Sequence, residues 1–411
     1  MTTNKHKQTV CIFCNSKSSK SNPVIVGSIL PEYGVCSGCN VSVSEAIEEE
    51  RASQQQEAPC KTDDVLNQIS KLMKPKEIVA YLGKSIISQE LAKKELASAM
   101  YEHMKRKVIF DVTGSCELKK ANVFMMGKSG VSKTEMTRQL VKLMDIPMIT
   151  IDCTALSEAG YVGDSIDDKM VSLVDKADGD IKKAEFGVVF LDEVDKLRRV
   201  GGSSHTSANV GREGVQEALL KIMEGTELAV SSSGQTKAGG RTTNILDTSN
   251  ILFIASGAFD GIEALLGVGG NSEIGFIKSK VSEEETLQSY RKITTSHLIE
   301  YGFKPEFIGR FYSFVPFDDL SKSDLVNILK HSSISRIRDS ITSFKYDGCN
   351  LSFDDDSFEV IAEFAADEKT GARTLAKIVD TVLRDARYAA NNGDLSELIV
   401  DSAYVKEKYK K

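Results

Sequence analysis

The chain has 411 residues, 41% hydrophobic and 27% charged, enough for two or three domains and ordinary for a soluble globular protein. Its net charge of −7 and sequence pI of about 5.5 argue against a broad face for phosphate backbones, so nucleic acid is an unexpected partner. No apolar run is long enough to cross a bilayer, and no apolar signal core follows Met1–Lys7, so a cytoplasmic protein with no membrane partner is expected.

Cysteines come first along the chain. Cys11 and Cys14 form one C-x-x-C pair, Cys36 and Cys39 a second, with 21 residues between the pairs. Four thiolates so spaced suit a closed, structural Zn²⁺ site, and a reducing compartment weighs against the rival, disulfides. Residues 8–45 are therefore expected to be a zinc module that draws much of its folding energy from the metal. The scattered Cys60, Cys116, Cys153 and Cys349 carry no assigned role. Residues 46–65 are polar and low in aromatics, and read as a flexible linker.

From Leu66 on, helices and strands alternate. Glu90–Arg106 has a helical apolar stripe. Val123–Met126, Met148–Ile151, Val188–Leu191 and Ile251–Ile254 are short apolar runs that read as buried strands. Helices are expected at Thr134–Met144 and Gly214–Met223. The pattern predicts an α/β domain with a parallel sheet over 66–317. Beyond Phe317 the chain reads as mostly helical (Ser321–Arg338, Asp356–Ala366, Arg373–Ala390), a separate small domain over 318–411.

Between the first strand and the next helix lies Gly127-Lys128-Ser129-Gly130-Val131-Ser132-Lys133-Thr134, followed by Glu135. Strand, glycine-containing turn and helix start make an anion site, where backbone N–H groups and the helix dipole face phosphates. Lys133 is expected to reach the β- and γ-phosphates of ATP, and the Thr134 hydroxyl to bind Mg²⁺. Ser132 stands where glycine is usual, in a position that favours positive φ. The strand Val188–Leu191 ends in Asp192-Glu193, delivering two carboxylates to the sheet edge. Asp192 is expected to hold Mg²⁺ and Glu193 to act as general base on the attacking water. Alone, the pair reads better as a solvated acidic turn; with the phosphate loop it implies nucleotide hydrolysis.

Tyr161 and Val162 lie between Gly160 and Gly163. An exposed aromatic on such a loop can grip a peptide without reading its sequence; the alternative is a tyrosine covering a local apolar patch.

In this order, the cysteine pairs, the phosphate loop, Gly160–Gly163 and Leu191-Asp192-Glu193-Val194-Asp195-Lys196 resemble the ClpX family of AAA+ unfoldases. The likeness continues through Glu213–Lys221, Asp247–Ile254, Pro305-Glu306-Phe307-Ile308-Gly309-Arg310 and Lys369-Thr370-Gly371-Ala372-Arg373. The resemblance implies an AAA+ P-loop NTPase with a small C-terminal domain and an N-terminal zinc module. It implies a hexameric ring that unfolds proteins and feeds a ClpP-type protease. Arg310 is implied as the arginine finger acting on a neighbouring subunit, and Arg373 as the sensor arginine of the small domain. Tyr161 would line the axial pore, Ile274-Gly275-Phe276 would dock on the protease, and the zinc module would bind adaptors or substrates. Two apolar residues about a glycine in a polar stretch suit such plugging.

Departures from that pattern are local. Ser132 and Ser88 stand where the family usually has glycine, and Ser231–Arg241 lacks the family's basic cluster at the pore entrance. These changes leave open a non-hydrolysing regulator that joins a ring with an active relative. The intact Lys133, Asp192, Glu193, Arg310 and Arg373 argue for an active motor.

Overall fold

A computed structural model describes residues 10–26, 34–44, 61–156, 166–199, 207–230, 244–266, 289–368 and 371–409. The chain divides into two compact units, Met1–Ser70 and Lys71–Lys411.

In the first unit, strands β1 (Val24–Val26) and β2 (Gly34–Cys36) pair antiparallel, and a helix over 37–44 follows. Residues 46–60, most of the expected linker, lie outside the described residues. Its last five residues are helical instead, within Lys61–Ser70. The physical reason is local: Asp63 and Asp64 sit in the first turn, where carboxylates favour the positive helix end, and Val65, Leu66 and Ile69 line one side.

The second unit is built on a five-stranded, all-parallel sheet. Its strands are β3 (Val123–Met126), β4 (Met148–Asp152), β5 (Val188–Asp192), β8 (Leu252–Gly257) and β9 (Ser313–Pro316), in the order β4-β5-β8-β3-β9. A hairpin of β6 (Glu227–Val230) and β7 (Asn244–Asp247) stands apart. Alternate residues of the central strands feed two cores. Phe124, Met126, Val189, Leu191 and Phe253 pack on one face; Val123, Met125, Val188, Phe190 and Ile254 pack on the other. Burial on both faces explains why these strands read as unbroken apolar runs.

Helix Glu90–Thr113 runs beyond the expected Arg106 and ends at Gly114, whose φ of 80° lets its N–H reach the Phe110 carbonyl. Beyond β9 a third core holds six helices over Lys322–Lys408 and a parallel pair, β10 (Asn350–Phe353) and β11 (Glu397–Val400). Two of the expected helices are divided. Ser321–Arg338 splits into Lys322–His331 and Arg336–Tyr346. Between them the Ser332 hydroxyl donates to the Ser85 carbonyl at 2.5 Å and the Ser335 hydroxyl to the Leu329 carbonyl at 2.9 Å. Such serines compete with helix hydrogen bonding. Arg373–Ala390 becomes Ala372–Val382 and Arg384–Asn391, turning at the fully buried Leu383.

Candidate functional site

A parallel sheet exposes its carboxyl-end crevice to ligands. Here that crevice is a cleft of about 590 Å³, walled on one side by the phosphate loop and the end of β5 and on the other by the small lobe. The loop leaves β3 at Met126. A Cβ on Gly127 would lie 2.7 Å from Cβ of Phe317, so only glycine fits against the chain entering the small lobe. Gly130 has φ of 84° and Ser132 has φ of 73° and ψ of 21°. Ser132 therefore holds the left-handed backbone that glycine would adopt freely, a strain of roughly 1–2 kcal/mol for a residue with a side chain. Ser88 does the same, with φ of 58°, and its hydroxyl donates to Asp324 at 2.5 Å.

Helix Lys133–Met144 starts directly after Ser132. Ser129, Gly130, Ser132, Lys133, Thr134 and Glu135 line the cleft. Val131 is buried beneath the loop. The Lys133 ammonium donates to the carbonyls of Gly127 and Lys128, the latter at 2.8 Å. Burial pulls Lys133 down to about 8, and the carboxylates of Asp192 and Asp195 act against that. Lys128 points elsewhere and pairs with Asp319 beside the small lobe.

Asp192 ends β5, and Glu193 follows with φ of 54°, a left-handed residue at the mouth of the cleft. Its N–H donates to the Asp192 carboxylate at 3.0 Å. Behind them Asp195, 1% exposed, accepts from the Ala258 N–H at 3.3 Å and pairs with Lys196 at 3.0 Å. From the small lobe, Arg373 enters the same cleft on the first turn of Ala372–Val382. Its charge bears on Lys133, lowering that pKa further.

The structure thus brings together Lys133, Thr134, Glu135, Asp192, Glu193 and Arg373, and leaves Arg310 out. Arg310 lies just before β9, at the amino-terminal edge of the sheet, where its guanidinium pairs with Glu224. Tyr161, Val162, Ile274, Gly275, Phe276 and Ser231–Arg241 lie outside the described residues. Sequence reasoning missed the wall built from Ser85, Ile87, Ile328, Arg336 and Asp339, which carries no motif. It also passed over Asp195, for which the second aspartate in Asp-Glu-Val-Asp was a usable signal.

In the first unit, the sulfurs of Cys11, Cys14, Cys36 and Cys39 all lie within 4.8 Å of one another, with Cys14 and Cys36 at 3.6 Å. That is close to the separation of about 3.8 Å that Zn–S bonds of ~2.3 Å give in a tetrahedron. The Cys36 N–H points at the Cys11 sulfur (3.3 Å) and the Cys39 N–H at the Cys36 sulfur (3.4 Å), stabilising thiolates. All four cysteines are free, so the donor set fits a metal.

A model of the AAA domain (Cdc48 subfamily) matches residues 118–314, and one of the C-terminal, D2-small domain of ClpB protein matches 320–389. The chain is 34% identical over 385 residues to the ATP-dependent Clp protease ATP-binding subunit ClpX of Treponema denticola, covering 93% of this chain and 90% of the relative. It is 33% identical over 415 residues to ClpX of Bacteroides fragilis, covering 100% of this chain and 98% of the relative. The chain belongs to the ClpX family. It is an AAA ATPase, which implies nucleotide and Mg²⁺. ClpX 2 of Wolinella succinogenes is 36% identical over 377 residues, 92% of this chain and 90% of the relative. In this ClpX-family chain Ser132 holds left-handed backbone, with φ of 73° and ψ of 21°. Among the described residues, no helix is long and apolar enough to cross a membrane.

Proposed function

We propose that this chain is an ATP-driven protein unfoldase of the cytoplasm, working as a hexameric ring that passes unfolded substrates to a ClpP-type protease. The observation that carries the reading is the meeting of Lys133, Asp192, Glu193 and Arg373 in one cleft. Lys133 neutralises phosphate charge, Glu193 takes the proton of the attacking water, and Arg373 supports the γ-phosphate from the small lobe. Thr134 and Asp192 would hold Mg²⁺, which when bound neutralises charge on the β- and γ-phosphates. Arg310 serves a neighbour's nucleotide. Its position at the sheet edge remote from its own cleft, with the side chain 46% exposed, supports that role. A guanidinium there stabilises transition-state charge as a finger in trans.

Cys11, Cys14, Cys36 and Cys39 would hold a structural Zn²⁺ in a module that binds adaptors or substrates. Tyr161 and Val162 would grip the substrate in the pore, and Ile274-Gly275-Phe276 would dock on the protease. The large domain over 66–317 and the small one over 318–411 would rotate against each other as ATP turns over.

The test is an unfolding assay. A fluorescent β-barrel protein bearing an unstructured extension is mixed with the purified chain, a ClpP-type peptidase and Mg-ATP. Fluorescence should decay with ATP, and not with Glu193→Gln. Unchanged fluorescence across a panel of extensions, from a chain that hydrolyses ATP, would speak against an unfoldase.

A further inference from the structure

Asn122 is 2% exposed and precedes β3 directly. A buried primary amide is costly unless its donors and acceptor are met. Its Nδ2 donates to the Arg310 carbonyl at 3.0 Å, and its Oδ1 accepts from the Phe253 N–H at 3.1 Å. One neighbour is an acceptor and the other a donor, so the amide orientation is fixed. The Asn122 backbone carbonyl accepts from the Tyr312 N–H at 2.9 Å. Asn122 therefore ties three points together: the start of the strand that leads to the phosphate loop, the start of β8, and the backbone of Arg310. The guanidinium of Arg310 projects outward from that clamped backbone to Glu224 at the surface.

We infer that Asn122 is a positioning residue for Arg310. It sets where the finger meets a neighbouring subunit, and its effect is felt in the neighbour's cleft rather than its own. The inference rests on the reading of Arg310 as a residue that acts in trans. Misplacing a group in a transition-state contact by about 1 Å can cost on the order of 100-fold in rate. Asn122→Asp keeps the size and the acceptor for Phe253, but it loses the donor and sets a carboxylate against the Arg310 carbonyl.

The experiment is subunit mixing with the full chain, read as steady-state ATP hydrolysis. Asn122→Asp alone is expected to hydrolyse ATP roughly 10- to 100-fold more slowly than wild type. Mixed with Glu193→Gln subunits, which have a dead cleft and an intact finger, it should recover activity well above the sum of the two parts. Mixed with Arg310→Ala subunits it should not recover. A merely structural defect predicts no recovery in either mixture. Wild-type turnover by Asn122→Asp, or failure to recover with Glu193→Gln while Arg310→Ala does recover with it, would overturn the inference. Failure of the Arg310→Ala and Glu193→Gln mixture itself would remove the trans reading of Arg310, and the inference with it. Should Asn122→Asp fail to assemble, Asn122→Ser, which keeps a hydroxyl donor in a smaller side chain, takes its place in the same mixtures.

Discussion

The Ala372 N–H donates to the Gly130 carbonyl at 3.0 Å, so the helix that carries Arg373 begins on the phosphate loop itself. Movement of the small lobe and the shape of the loop are thereby mechanically linked. Gly371, just before, has φ of 61° and ψ of −147°, backbone that only glycine adopts readily.

Gly371→Ala tests that link. The added Cβ would lie 3.0 Å from the Gly130 backbone, on a residue already confined to glycine's region. Strain of about 1–3 kcal/mol would fall on the contact between the lobe and the loop. The expected outcome is a KM for ATP raised several-fold in a protein whose circular dichroism is unchanged. An unaltered KM would show that the two parts move independently.

Ser132→Gly should stabilise the protein. It relieves the left-handed strain, partly offset by the greater freedom of glycine in the unfolded chain, for a net gain of roughly 0.5–1 kcal/mol. Urea unfolding should move to a higher midpoint at constant slope, with hydrolysis at least as fast as in wild type. A lower midpoint would mean that the serine side chain makes a favourable contact that outweighs its backbone strain.

Lys133 gives a pH dependence with a definite sign. Its pKa falls from 10.5 to about 8 on burial, so between those values the unfolded chain binds more protons than the folded one. Its contribution to stability is therefore least favourable below about pH 8 and improves as pH rises toward 10.5. Nucleotide binding runs the other way, because phosphate needs the charged ammonium. ATP binding at pH 8–9 should take up protons, read as calorimetric heats that vary with buffer ionisation enthalpy. Lys133→Gln should abolish the uptake; uptake that persists in that variant would place the titrating group elsewhere.

The four cysteines predict one Zn²⁺ per chain by elemental analysis, and Cys36→Ser should release it. Structural zinc is worth on the order of 10 kcal/mol of folding energy in small modules. The first unit should lose its structure while the melting of Lys71–Lys411 hardly changes. A metal content unaffected by Cys36→Ser would rule out the cluster as the site.

Some parts of the molecule were legible in the sequence because their chemistry is local. The phosphate loop, the carboxylates at the end of β5 and the C-x-x-C pairs each place their groups through a few consecutive residues. Of the four strands read from apolar runs, β3, β5 and β8 are buried on both faces, which makes them conspicuous, while the edge strand β4 buries Ile149 and Ile151 and exposes Thr150. β9 was not legible: Ser313-Phe314-Val315-Pro316 is short, sits at the sheet edge and ends in proline. The strands β10 and β11 lie 43 residues apart in sequence (397 − 353 − 1) and form only through the small lobe's tertiary packing. The cleft wall of Ser85, Ile328 and Arg336 is likewise assembled from distant segments, with no spacing to mark it. Asn122 belongs to the same class, since its value lies in Arg310 and Phe253, residues far along the chain.

The central claim is that Glu193, at the mouth of the cleft, activates water for ATP hydrolysis and so drives the motor. Steady-state ATP hydrolysis by the purified chain beside Glu193→Gln tests it most directly, with nucleotide binding measured in parallel. Loss of a general base costs roughly 10²- to 10⁴-fold. The account predicts a fall of that order in turnover with binding retained. Equal turnover by the two proteins would contradict it.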